Sequence, residues 1–261
     1  MKVLVTGAAG LIGSHLCDSL IEQGYSVFGI DDLSFGDRDN IPSNVEFFND
    51  KVENISKYGE FDIIYHLGSL KKVWDGSISS CDVLGAPTNL RYSYALSKWH
   101  SEQYILNAHT ENELDCSIVR VFGCASPRSN KSWSGGHVPL FIKLALDNKD
   151  ITIHGDGLQT RSISHAKDIA DGLVKMHNIT GEIINLVTDE QTTVRSVAEY
   201  IIQKTNSKSK INYIPREQVF GNYNEIMIRF ANISKAKQLL DYKINFNTEQ
   251  VIDEIIREFK I

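Results

Sequence analysis

A basic excess, a long apolar run, paired cysteines and an internal repeat are all missing from this sequence, and each lack removes a class of function. The 27 Lys and Arg against 33 Asp and Glu leave a formal net charge of -6 and a pI near 5.8. A protein that tracks phosphates along a nucleic acid carries a basic stripe, so no nucleic acid is expected as a partner. No apolar run approaches the roughly 18 residues of a membrane span. MKVLVTGAAG enters a strand and a glycine turn directly, so neither export nor membrane insertion is expected. Cys17, Cys81, Cys116 and Cys124 show neither CxxC spacing nor the density of a disulfide scaffold, which suits a reducing cytosol and a cytoplasmic protein. His100, His137, His154 and His165 have no ligand spacing with carboxylates or cysteines, and no metal is expected. The one low-complexity patch, KTNSKSK at 204–210, reads as a solvated turn.

What remains is ordinary globular material, 42% hydrophobic and 23% charged over 261 residues, enough for a large domain with a small lobe. Lys2 to Thr6 is a short apolar run stopped by Gly7, and Leu11, Ile12, Leu16, Leu20 and Ile21 then recur at helical spacing until Gly24. Val27 to Ile30, Val45 to Phe48 and Phe61 to Leu67 read as further strands, apolar on both faces as buried parallel strands are. Tyr94 to Ala108 reads as a helix, Cys116 to Phe122 as a strand, and Val138 to Leu146 as a helix feeding the strand Ile151 to His154. The alternation predicts an α/β fold with a doubly wound parallel sheet. Beyond Gly155 the pattern loosens, with helices near 167–177, 193–204, 234–240 and 248–259 and strands at Ile183 to Val187 and Ile211 to Ile214. This predicts a smaller C-terminal lobe.

GAAGLIG, Gly7 to Gly13, sits between a strand and an amphipathic helix, where glycines permit a tight turn and the helix N-terminus faces a pyrophosphate. Asp31 ends the second strand about 20 residues on, where a carboxylate accepts hydrogen bonds from the adenosine ribose hydroxyls. An acid there disfavours a 2′-phosphate, so NAD is expected rather than NADP. Tyr94-x-x-x-Lys98 puts a phenol and an ammonium one turn apart on a helix, so the ammonium lowers the phenol's pKa and leaves a phenolate as a base. The spacing recurs at Tyr200 and Lys204, with no serine motif ahead of it, and there reads as chance. Ser79-Ser80 lies upstream of the first pair and supplies a hydroxyl, with Ser80 the better catalytic candidate. His66 reads as a packed structural histidine.

The glycine triplet, Asp31, YHLG at 65–68, the Ser-Ser pair and YALSK at 94–98 together resemble the extended short-chain dehydrogenase/reductase family, and within it the nucleotide-sugar epimerase/dehydratase branch. DDLSFGDRDN at 31–40 and HGDGLQTRSISHAKDIADGL at 154–173 are similar to segments of that branch, the second more specifically. The resemblance implies a Rossmann-type NAD-binding domain over residues 1–154, shortened between 68 and 94, and a mainly substrate-binding lobe over 155–261. It implies NAD held by Gly7, Gly10, Leu11, Ile12, Gly13, Asp31, Asp32, Ser34, Asp50, Lys51, Leu67, Gly68, Ser69, Tyr94, Lys98 and Val121. Catalysis falls to Ser80, Tyr94 and Lys98. Tyr94 removes the proton from a sugar hydroxyl while hydride leaves the same carbon for the nicotinamide, and Ser80 hydrogen-bonds the developing ketone.

For the substrate the resemblance implies a nucleotide sugar, a UDP-sugar foremost, touched by Ser80, Asp82, Arg161 and Arg216. Both arginines can pair a diphosphate in fork geometry. A UDP-glucose/UDP-galactose type 4-epimerase is the first expectation. Asp82 occupies the slot where dehydratases and uronate decarboxylases of the family carry an acid, and RVFGCASPR at 120–128 looks like the decarboxylase version of its segment. Those activities, or an NAD-binding protein without turnover, are the alternatives. Gly123 stands where the family's Arg-x-Phe-Asn pattern has its Asn, so the grip on the diphosphate is altered.

One stretch departs from the family. YHLGSLKKVWDGSISSCDVLG, residues 65–85, passes from a strand end to the Ser-Ser pair with only 11 residues between Gly68 and Ser80. Parallel neighbours usually need a connection of a dozen or more. At about 3.3 Å per residue, Ser69 to Trp74 can descend some 20 Å as bare chain, turn at Asp75-Gly76, and leave Gly76 to Ser80 as a short rising strand. The expectation is an extended connection in place of the crossover helix, with Ser80 still near Tyr94. In many relatives that helix and the Tyr-Lys helix form half of a four-helix dimer bundle, so a monomer or an atypical homodimer is expected.

Overall fold

The computed structural model describes residues 1–68, 93–112, 114–130, 136–220 and 226–260. Along the chain run β1 (Lys2–Thr6), α1 (Leu11–Glu22), β2 (Ser26–Asp31), β3 (Glu46–Asn49), β4 (Ile63–His66), α2 (Ser93–Asn112) and β5 (Ile118–Val121). Then follow β6 (Cys124–Ala125), α3 (His137–Leu146), β7 (Ile151–His154), β8 (Thr160–Arg161), β9 (Ser164–His165), α4 (Ala166–Lys175) and β10 (Ile183–Leu186). The chain ends with β11 (Thr192–Thr193), α5 (Val194–Thr205), β12 (Ile211–Ile214), α6 (Arg216–Phe220), α7 (Ser234–Leu240) and α8 (Thr248–Phe259).

The first sheet has the order β3-β2-β1-β4, all parallel, with Lys2 opposite Ser26 and Val3 opposite Ile63. β1 is central, and Val3 to Thr6 are fully buried. The expectation of strands apolar on both faces holds for β1 but not for the outer two. β3 buries none of its residues fully and β4 buries only Tyr65. β3 lies at the edge of the sheet, while Ile64 is 52% exposed. Among the described residues β4 pairs only with β1, and β5 pairs only with β10, also in parallel.

Two cores organise the packing. In one, Leu16, Cys17 and Leu20 of α1 meet Ile169, Leu173 and Val174 of α4, together with Leu186 of β10 and Leu240 of α7. In the other, α3, α5 and α8 close over β7 through Phe141, Ile142, Ile153, Ile201, Ile252 and Ile255. β7 pairs with β12, β8 with β11 and β6 with β9, short ladders that fix the loops around Arg161 and His165. Burial of these side chains supplies about 25 cal/mol for each Å² of apolar surface removed from water. Among the described residues no helix is long and apolar enough to cross a membrane.

Candidate active site

The glycine loop is built for close backbone approach. Gly7 has φ +69°, and a Cβ there would come within 2.9 Å of the Gly68 nitrogen, so the ends of β1 and β4 meet where a side chain cannot fit. A Cβ on Gly13 would lie 2.1 Å from the Gly7 carbonyl oxygen, which holds the first turn of α1 against the strand end. Gly10 caps α1 without a side chain, leaving the helix N-terminus, Leu11 and Ile12 included, facing the loop.

Asp31 reaches back across this loop. Its Oδ2 accepts the Ala9 N–H at 3.0 Å and its Oδ1 accepts the Leu33 N–H at 2.9 Å. Each carboxylate oxygen has a second lone pair for a further donor. The Asp37 N–H donates to the Ala9 carbonyl at 3.1 Å and Asn40 Nδ2 does so at 3.2 Å, so residues 32–40 clamp the same loop. Asp32 accepts the Ser34 N–H at 2.9 Å, and its hydrogen bonds with Ser34 hold its carboxyl below the usual range. At the end of β3, Asp50 accepts from Asn54 Nδ2 at 2.7 Å, the Tyr58 hydroxyl at 2.8 Å and the Lys51 N–H at 2.8 Å, bonds that lower its pKa in that order.

Thr6 organises the end of β4. Its Oγ1 accepts the Leu67 N–H at 3.1 Å and the Gly68 N–H at 2.9 Å, and lies 2.9 Å from His66 Nδ1. With both lone pairs taken, the one hydroxyl proton goes to Nδ1, so His66 is a neutral imidazole that carries its proton on Nε2. Burial, and then the charge of the Lys98 ammonium, keep its pKa down. Val121 ends β5, half-buried against the first core.

Tyr94 lies in the first turn of α2, with Lys98 one turn later. Ser69, Ser80, Asp82, the side chain of Tyr94, and the expected course of the chain between Gly68 and Ser80 lie outside the described residues. Further along α2, Glu102 is bound bidentately by Arg120 of β5 at 2.9 and 2.7 Å. Arg161 donates through Nη1 to the carbonyls of Thr160, at 2.6 Å, and Ile226, at 3.2 Å. The guanidinium of Arg216 lies against Gly155, and all three of its nitrogens have protein partners. Nε donates to the His154 carbonyl at 3.2 Å, Nη2 to Gln159 Oε1 at 2.8 Å, and Nη1 reaches Met227 Sδ at 3.5 Å. Next to Arg161 in the electrostatic sense, His137 at the start of α3 is pushed down to about 4 by burial and by that arginine, and its buried Nε2 has no partner.

Sequence reading passed over Thr6, Glu102 and Arg120. Thr6 stands directly before the glycine loop, and Glu102 follows Lys98 by one helical turn, but their partners are 60 and 18 residues away in the chain.

A parallel strand, a glycine loop, a helix N-terminus and a carboxylate closing on that loop from the next strand define a dinucleotide-binding α/β protein of Rossmann type. Residues 3–84 and 74–186 match the NAD dependent epimerase/dehydratase family, and the chain belongs to that family. It is 27% identical to UDP-N-acetyl-alpha-D-glucosaminuronate decarboxylase of Bacillus cytotoxicus, over 99% of this chain and 98% of the relative. It is 26% identical to a putative UDP-glucose 4-epimerase of Methanocaldococcus jannaschii, again over 99% and 98%. Among solved structures, UDP-glucuronic acid 4-epimerase of Bacillus cereus, in complex with UDP-glucuronic acid and NAD, superposes with a TM-score of 0.83 at 25% identity, covering 100% of this chain and 99% of that one.

The protein is a nucleotide-sugar epimerase/dehydratase family enzyme whose cofactor is NAD. The loop that Gly7, Gly10 and Gly13 leave open, with Asp31 behind it, fits that cofactor. The alignment with the decarboxylase runs over 314 positions although the chain has 261 residues, so at least 53 positions have no counterpart here. The two stretches that match the family overlap at residues 74–84.

Proposed function

We propose that the enzyme oxidises C4 of a UDP-sugar to a 4-keto sugar, and that its substrate is a hexuronate that then loses its carboxyl group as carbon dioxide. The observation that carries this is the full-length likeness to a UDP-N-acetylglucosaminuronate decarboxylase, joined to the acid, Asp82, in the family's acid slot. A ketone at C4 makes the C5 carboxylate a β-keto acid, which sheds carbon dioxide and leaves an enolate that takes a proton at C5. Tyr94, as phenolate, accepts the O4 proton, Lys98 keeps that phenol acidic, and Ser80 donates to the developing ketone. NAD, when bound, would supply a hydride acceptor for C4 that gives the hydride back, so no second substrate would be consumed. Gly7, Gly10, Leu11, Ile12, Gly13, Asp31, Asp32, Ser34, Asp50, Lys51, Leu67, Gly68, Ser69 and Val121 hold the cofactor. Arg161 pairs the diphosphate, and Arg216 joins it after releasing Gln159. Residues 1–154 supply the cofactor side and 155–261 most of the substrate side, in a monomer or an atypical homodimer.

The 4-epimerisation expected first from the sequence is the second reading, supported by the likeness to the Bacillus cereus UDP-glucuronic acid 4-epimerase. One experiment separates them. Protein as isolated is incubated with UDP-glucuronate, UDP-N-acetylglucosaminuronate, UDP-glucose and UDP-galactose, and products are followed by chromatography and mass spectrometry. Carbon dioxide loss from a uronate supports the first reading. Conversion at constant mass supports the second, and NAD-replete protein inert toward all four overturns both.

A further inference from the structure

Among the described residues, the buried contact between the helix that carries Tyr94 and Lys98 and β5 is an ion pair. Of the α2 side chains described, residues 96–111, Glu102 alone is buried, at 8% exposure, while Trp99, Tyr104 and Ile105 are exposed. Arg120 of β5 grips Glu102 in a fork, Nε to Oε1 at 2.9 Å and Nη2 to Oε2 at 2.7 Å. Positions 94, 98 and 102 are successive turns of one helix stripe, so the fork lies on the stripe that carries the pair. An acid four residues after a lysine is also the natural competitor for its ammonium. Both Glu102 oxygens are occupied by the guanidinium, which cancels the carboxylate's charge where it lies.

We propose that Arg120 is a positioning residue for the Tyr94–Lys98 pair. By neutralising Glu102 it keeps the Lys98 ammonium at the Tyr94 end of the helix. Without Arg120 the buried carboxylate is an uncompensated charge that draws the ammonium one helical turn before it, Lys98, and the phenol loses the charge that makes it acidic. This rests on Tyr94 being the base.

The test titrates Tyr94 directly in NAD-loaded protein, as phenolate absorbance, each variant compared with its own Tyr94→Phe partner and checked for fold by circular dichroism. In the wild type the phenol ionises below the ordinary tyrosine value of about 10. No such ionisation in the wild type overturns the assignment of Tyr94 as base, and the positioning role with it. Arg120→Gln raises the midpoint by about one pH unit. Glu102→Gln does not raise it, and Glu102→Gln/Arg120→Gln returns it to the wild-type value although the fork is gone. Arg120→Lys keeps the charge without the fork and holds the wild-type midpoint, which preserves the test should Arg120→Gln fail to fold. With a normal wild-type titration, an unchanged midpoint in folded Arg120→Gln, the same rise in all variants, or a rise in Arg120→Lys overturns the proposal while leaving the base assignment standing.

Discussion

Tyr94 and Lys98 on α2 share their spacing with Tyr200 and Lys204 on α5, yet the carboxylates on or beside the two helices have different partners. Asp253 of α8 takes both members of the second pair, accepting the Tyr200 hydroxyl at 2.9 Å and Lys204 Nζ at 2.6 Å. Burial and then Asp253 raise the Tyr200 phenol, the reverse of what a base at neutral pH needs. On α2 the carboxylate of the stripe, Glu102, is taken by Arg120 instead. The motif is a spacing of two groups. Around the second pair, the carboxylate that takes both groups makes that spacing a brace.

The largest expected effect breaks this comparison most directly. Tyr94→Phe lowers turnover of the UDP-sugar substrate by about 10²-fold or more, with NAD retained, because it removes the group that takes the proton. Tyr200→Phe leaves turnover unchanged in the same assay. Equal losses in the two variants would refute the distinction between the pairs.

Second in size is Thr6→Val, which acts on the end of β4. It removes the acceptor of the Leu67 and Gly68 N–H groups and the donor to His66 Nδ1, at a fully buried position. The Gly68 amide loses its acceptor, while the Leu67 amide keeps the Thr6 backbone carbonyl at 3.3 Å, and the cost is about 1–3 kcal/mol, read as a drop in unfolding free energy in denaturant. NAD affinity falls with it, because Gly68 and Gly7 abut.

The third effect is a pH dependence that reaches the second pair through α8. His165 donates from Nε2 to Glu254, the neighbour of Asp253, while its Nδ1 accepts the Lys167 N–H. It stands edge-on to His15, whose ring is bonded to Ser126 at 2.8 Å. Burial, then the charges of Arg128, His165 and Lys167, push His15 from 6.5 down to about 3. The unfolded chain therefore binds this proton first. The stability is full above about 6.5 and is lost as pH falls toward 3, by about 2 kcal/mol at pH 5. A thermal midpoint falling between pH 7 and 5, and falling less in His15→Gln, is the expected result.

Much of the cofactor side was legible because its signals are local. Apolar runs, the glycines and Asp31 each act within about 30 residues, and β1, α1 and β2 formed where the periodicity put them. Side-chain partners were not legible where they lie far along the chain. Arg216 read as a diphosphate cation, yet its nitrogens meet His154, Gln159 and Met227, two of them on segments about 60 residues away. The five-residue helix α6 is too short to show a period, and it went unread. Glu102 looked like any charge on an exposed helix until the fold brought Arg120 beneath it.

The smallest expected effect tests the second pair on its own terms. Tyr200 is half-buried and donates to a carboxylate that Lys204 also holds, so Tyr200→Phe removes one charge-assisted hydrogen bond without stranding Asp253. The cost is about 1 kcal/mol in unfolding free energy. Asp253→Asn should cost little more, since the amide oxygen still accepts from Tyr200 and Lys204 lies at the surface. If Tyr200 is a brace, Asp253→Asn also lets its phenol titrate closer to the ordinary tyrosine value, measured by the same difference absorbance, while turnover stays where it was. A change in turnover with the fold intact would mean that α5 contributes to the reaction, and the contrast between the two pairs would have to be drawn elsewhere.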